Sequence, residues 1–178
     1  MNAMNQLRRH ACYLVTAALV AAVSGTFARP AAAADEACTM NRVRSTNPLL
    51  AALILEGVER STTFRRLIQT IDATNGLVYV EDGKCGHGVR ACLVTTMTIA
   101  GPHRILRVLV DARRSERDLI GSIGHELGHA VEVLSAPGVK SSSAMYYFYT
   151  RHQSNGNGSF ETQFAIDTGN AVRAEIAR

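Results

Sequence analysis

The sequence predicts an α+β fold in which a small sheet of about three strands packs on one long helix, with further helices before and after it. Three observations predict it: helical apolar spacing between 48 and 72 and again beyond 115, β-branched runs between 77 and 112, and no internal repeat or dividing linker after residue 34. A chain of 178 residues holds one ordinary domain with a sizeable core.

The first 34 residues read as an export signal rather than as part of that domain. Arg8 and Arg9 form a basic start, Ala11 to Val23 an apolar run, and Ala32, Ala33 and Ala34 a small-residue cleavage site. Thirteen residues fall short of the roughly 20 a membrane-spanning helix needs. The expectation is a secreted or periplasmic protein with no stable membrane insertion once the signal is cut. The leader carries three of the 19 basic residues and none of the 15 acidic ones, so the remainder is close to neutral. That balance removes the electrostatic footprint of a nucleic-acid-binding protein.

Residues 35–46 show no periodicity and read as an exposed lead-in. Asn47 caps a helix with Pro48 at its first position, continuing through "LLAALILEGVE" to about Glu59. Ser61 caps a second, "TTFRRLIQTIDA", with Phe64, Leu67, Ile68 and Ile71 on one face; one long bent helix through both is the alternative. Asn75-Gly76 is a turn, and "LVYVED" follows as a strand. "ACLVTTMTIA" is the second strand, ended by Gly101-Pro102, and "RILRVLVDA" the third, apolar enough to be covered on both faces. A helix begins after Arg114 or Ser115 and runs to about Ser135, before Ala136-Pro137-Gly138. "SSSAMYYFYTRH" is a further helix, "QSNGNGS" a loop, and "FETQFAIDTGNAVRAEI" the last helix. Cys85 and Cys92 flank a glycine-rich turn and are the natural disulfide pair, worth about 2 to 3 kcal/mol for so short a loop; pairing of either with Cys38 stays open.

Chemistry concentrates in "IGHELGHAVEV", Ile123 to Val133. On a helical wheel Leu119, Ile120, Ile123, Leu127, Ala130, Val131 and Leu134 share the core side, while His125 and His129 lie about 40° apart opposite it. Residues four apart bring two imidazoles onto one ion at the roughly 2.0 to 2.1 Å of a Zn–N bond. Glu126, about 100° round from His125, is placed to take a proton from a zinc-activated water and hand it to a leaving amine. Gly121, Gly124 and Gly128 line a strip between the two faces. Each costs about 1 kcal/mol against alanine inside a helix, which makes sense if another backbone comes close there.

His125, Glu126 and His129 match the His-Glu-x-x-His signature, and in this the chain resembles the zincin metallopeptidases. The resemblance implies a zincin-like fold, with the active-site helix under a sheet whose edge strand aligns an extended peptide or protein substrate. It also implies Zn2+ as the cofactor and Glu126 as the general base. Residues 132 and 135 are Glu132 and Ser135, which excludes the metzincin continuation. The pattern is similar to that of gluzincins, in which a glutamate on a later helix completes the site, and Glu161, opening the last helix, is the candidate third ligand. Glu132, His152 and Asp167 compete for that place. The acidic residue gluzincins often carry four positions further on is replaced by Ala165, with Asp167 two beyond it.

Tyr146, Tyr147, Tyr149 and His152 are available to stabilise an oxyanion, but aromatic residues at helical spacing read first as core. His87 and His103 read as surface histidines. The leading function is therefore a secreted zinc-dependent peptidase. The alternatives are an exported zinc-binding domain without catalysis and a zinc hydrolase acting on a non-protein amide such as cell-wall material.

Overall fold

A computed structural model describes residues 42–178 apart from 87, 114 and 153–159. The export signal, Cys38, His87 and the "QSNGNGS" loop lie outside the described residues.

The elements in chain order are β1 (Val43–Arg44), α1 (Pro48–Arg60), α2 (Thr62–Asp72), β2 (Gly76–Asp82), β3 (Ala91–Leu93), β4 (Thr98–Ala100), β5 (His103–Val110), α3 (Glu116–Ser135), α4 (Ser142–His152) and α5 (Gln163–Ile176). The described residues thus form an α+β structure of five helices and a small mixed, open sheet. No helix among them is long and apolar enough to cross a membrane.

Local chemistry accounts for the first helices. Asn47 Oδ1 accepts the Leu49 N–H at 2.9 Å and Pro48 occupies the first turn, so two groups that helix geometry leaves unpaired are dealt with. Ser61, extended at φ −121°, closes α1 and caps α2 through the Phe64 N–H, so the segment is two helices and not one bent helix. Glu175 near the end of α5 receives the Thr63 N–H at 3.0 Å and the Thr63 hydroxyl at 2.8 Å, fastening the last helix to the start of α2.

The sheet order is β1-β2-β5-β3, with β4 also pairing β5. β2 runs parallel to β5 and to β1, while β3 and β4 run antiparallel to β5. Three sequence expectations are corrected here. The lead-in is not wholly exposed: Val43 is buried and adds a parallel strand too short to show a two-residue period. The "ACLVTTMTIA" run is two strands, because after the Val94 N–H bonds the Arg107 carbonyl the chain from Thr95 to Met97 leaves the ladder. The third predicted strand is covered mainly on one face: Arg104, Leu106, Val108 and Val110 are buried, whereas Arg107 between them is exposed.

Arg104 is the unexpected member of that buried row, at 8% exposure. Its Nη1 donates to the carbonyls of Val133, Ala136 and Val139, each at 3.1 Å, its Nη2 to that of Leu134, and its Nε to Asn75 Oδ1 at 2.7 Å. One guanidinium therefore satisfies the carbonyls around the C-terminus of α3, where a cation is also favoured by the helix dipole. Arg104→Met leaves those carbonyls unpaired and is expected to cost about 2 to 4 kcal/mol. Urea unfolding checks this, and a loss below about 1 kcal/mol would show that water replaces the guanidinium.

α3 runs through the centre, against β3 and β5 on one side and α5 on another. Covering on several sides buries Val133 as well as the predicted Leu119, Ile120, Ile123, Leu127, Ala130 and Leu134, and leaves Val131 only partly buried. The glycine strip receives α5. A Cβ on Gly121 would fall 2.3 Å from Arg173 Cγ, one on Gly124 2.9 Å from Val172 Cγ2, and one on Gly128 3.2 Å from Ala165 Cα. The disulfide joins Cys85 to Cys92, staple of the turn that enters β3.

Candidate metal centre

Close packing of α5 on α3 carries the residues just before α5 to the histidines of α3. His125, His129 and Glu161 each offer a ligand atom, all within 4.8 Å of one another. Four-coordinate zinc with bonds of about 2.0 to 2.2 Å needs ligand atoms about 3.4 Å apart, so the group suits the ion after side-chain adjustments of an ångström or so. His125 Nε2 and Glu161 Oε2 already stand 3.1 Å apart.

Glu161 does not open the helix as the sequence suggested. It lies one residue before the Thr162 cap, after Phe160 at φ 52°, and it turns toward His125 from outside the helix. Its hydrogen bond with His125 holds its carboxyl below the usual range, against the opposing effect of burial. Burial pushes the His125 imidazole down, but the bond to Glu161 and the charges of Glu126 and Glu161 together outweigh it and raise its pKa.

Glu132 is not within the group. Its Oε2 stands 3.1 Å from His129 Nδ1 and accepts the Thr162 hydroxyl at 3.0 Å, so it braces the ring and leaves Nε2 for a metal. His152 Nδ1 lies against the Phe148 carbonyl at 2.7 Å, and Asp167 accepts from Gln163 at 2.8 Å; both stand outside the group.

Glu126 is 6% exposed, and its Oε2 accepts the Leu93 N–H at 2.7 Å. Strand pairing explains why that donor is available. The bonds Val94 N–H to Arg107 O and Asp111 N–H to Arg90 O place the even residues of β3 in the ladder, so Ala91 and Leu93 turn their peptide groups outward. Burial raises the Glu126 pKa, opposed by His125, His129 and the Leu93 N–H. A raised carboxyl pKa brings the group nearer to proton exchange at neutral pH.

Tyr149 fulfils the core reading: it is 3% exposed, its hydroxyl donates to the His129 carbonyl at 2.9 Å, and its ring meets His129 edge-on at 5.4 Å. Burial pushes its pKa far up. Tyr146 and Tyr147 do not follow that reading, being 50% and 61% exposed. His103 is partly exposed, with Nδ1 3.3 Å from the Asn75 carbonyl.

Sequence reasoning missed the Leu93 N–H and Thr162. A backbone donor has no residue signature; Thr162 was legible as a helix cap, since its Oγ1 accepts the Ala165 N–H at 3.2 Å. A cavity of about 460 Å³ opens beside Glu126, His129 and Glu161, walled also by Val89, Leu93 and Phe160. No protein-family model matches the chain, and no curated protein or solved structure matches it.

Proposed function

We propose that the protein is an exported zinc-dependent peptidase of zincin type, gluzincin-like in drawing its third ligand from outside the active-site helix. The observation that carries this reading is the convergence of His125, His129 and Glu161 beside a buried, tethered Glu126 at an open cavity. A zinc ion held by the three would polarise a substrate carbonyl and make an attacking water more acidic. Glu126 takes the proton of that water and returns it to the departing amine. With the Leu93 N–H held by Glu126, the outward peptide groups of Ala91 and the Leu93 carbonyl offer an extended substrate a strand edge within the same cavity. Three protein ligands among the described residues, rather than four, also favour catalysis, since structural zinc sites are normally closed by a fourth.

The test is metal analysis with a casein digestion on the exported form. About one zinc per chain is expected, with hydrolysis that a chelator abolishes and added zinc restores. Cleavage indifferent to chelation overturns the reading. A tightly held ion without cleavage points instead to the non-catalytic binding domain, or, if a cell-wall amide is cut, to the hydrolase alternative.

A further inference from the structure

Two cavities of different character adjoin the triad. The larger has apolar walls in Val89, Leu93 and Phe160. The smaller, about 220 Å³, lies on the His125 side and carries two guanidinium groups, Arg90 from the approach to β3 and Arg173 from α5. Glu126, Glu161, Val89 and Ala91 border both, so an extended ligand crossing the triad would lie in one and then the other.

The fold places both cations. The stem of Arg173 lies across Gly121, where any Cβ would collide with its Cγ, and its Nη1 donates to Asn170 Oδ1 at 3.3 Å. Arg90 precedes the edge strand and pairs at 3.8 Å with Asp118 across solvent, its side chain 53% exposed. A guanidinium has five N–H donors, so each retains donors for a ligand. With Glu161 committed to a metal and Glu126 to the proton, these cations set the sign of the smaller cavity, and planar guanidinium groups suit a carboxylate.

We propose that the smaller cavity is a carboxylate subsite, so that the substrate is a peptide bearing an acidic group on the His125 side of the bond to be cut and an apolar side chain in the larger cavity. This rests on the peptidase reading and deepens it. The carboxylate comes from an aspartate or glutamate side chain or from a free chain terminus.

Internally quenched peptides with one Asp or Glu at successive positions, each with its Asn or Gln counterpart and each with a free or amidated C-terminus, test this on the zinc-loaded protein. Acidic peptides are expected to be cut with about tenfold higher kcat/KM than neutral ones, and Arg173→Gln and Arg90→Gln each to remove most of that preference. A preference that survives amidation identifies a side-chain carboxylate, and one that amidation removes identifies the terminus. Equal cleavage of acidic and neutral peptides, or a preference intact in both variants, overturns the subsite. Should nothing be cut, the peptidase reading fails and fluorescence anisotropy of the same peptides decides the subsite alone. Tighter binding of the acidic members that both substitutions abolish supports it, and equal or absent binding overturns it. The two arginines sit on different elements, so a folding defect in one variant leaves the other informative.

Discussion

Glu126→Gln is expected to retain zinc and lose hydrolysis, kcat falling about 10²- to 10⁴-fold while zinc affinity stays within a few-fold. The amide can still accept the Leu93 N–H, now made at 2.7 Å, so the side chain keeps its place between α3 and β3. What disappears is the basic oxygen that takes the proton in the proposed mechanism. Burial amplifies the contrast: at 6% exposure there is little room for bulk water to stand in as the base. Glu126→Asp separates position from basicity, because it keeps the carboxylate but withdraws it from Leu93 by one methylene, and an intermediate loss is expected. Steady-state kinetics with zinc analysis of each variant provides the check. A glutamine variant with undiminished turnover removes Glu126 from the mechanism.

The legible parts of this molecule were those whose information is local. His125 and His129 are four apart, Pro48 and Ser61 carry their capping chemistry in their own side chains, and three glycines on one strip announced a close neighbour that proved to be α5, by its backbone at Gly128 and by the Arg173 and Val172 side chains at Gly121 and Gly124. Glu161 was found from chain order, yet its route to the site from outside the helix was not, since the packing of α5 on α3 sets it. Arg104 was hidden for a different reason. Aliphatic residues occupy both faces of β5, so the sequence does not reveal which face is inward, and an arginine on the inward face reads as a solvent residue until its carbonyl partners are known. β1 escaped because a strand of two residues offers no period to detect, and the break between β3 and β4 escaped because pieces of three residues each offer none either.

Thr162→Val is expected to weaken zinc binding by about 10- to 100-fold, with Thr162→Ser close to the native protein. The threonine hydroxyl has two duties. It accepts the Ala165 N–H at 3.2 Å, starting α5, and donates to Glu132 Oε2 at 3.0 Å, the same oxygen that stands 3.1 Å from His129 Nδ1. An Nδ1–H donated to Glu132 fixes the His129 tautomer with its Nε2 lone pair free for a metal. Thr162 also follows Glu161 directly, so one hydroxyl steadies a candidate ligand from α3 and the approach to a candidate ligand from beyond it. Valine keeps the β-branched shape and removes both bonds; loss of the cap alone costs about 1 kcal/mol of stability. Glu132→Gln is the complementary change, since an amide oxygen still accepts from either partner but with a weaker, uncharged bond, and a smaller loss of zinc affinity is expected. Competition with a chromophoric chelator measures the affinities, and unfolding in the presence of excess chelator measures the cap separately. Should the valine variant be less stable yet bind zinc as tightly as the native chain, Thr162 would be a helix cap only, and the link from Glu132 to His129 would stand without it.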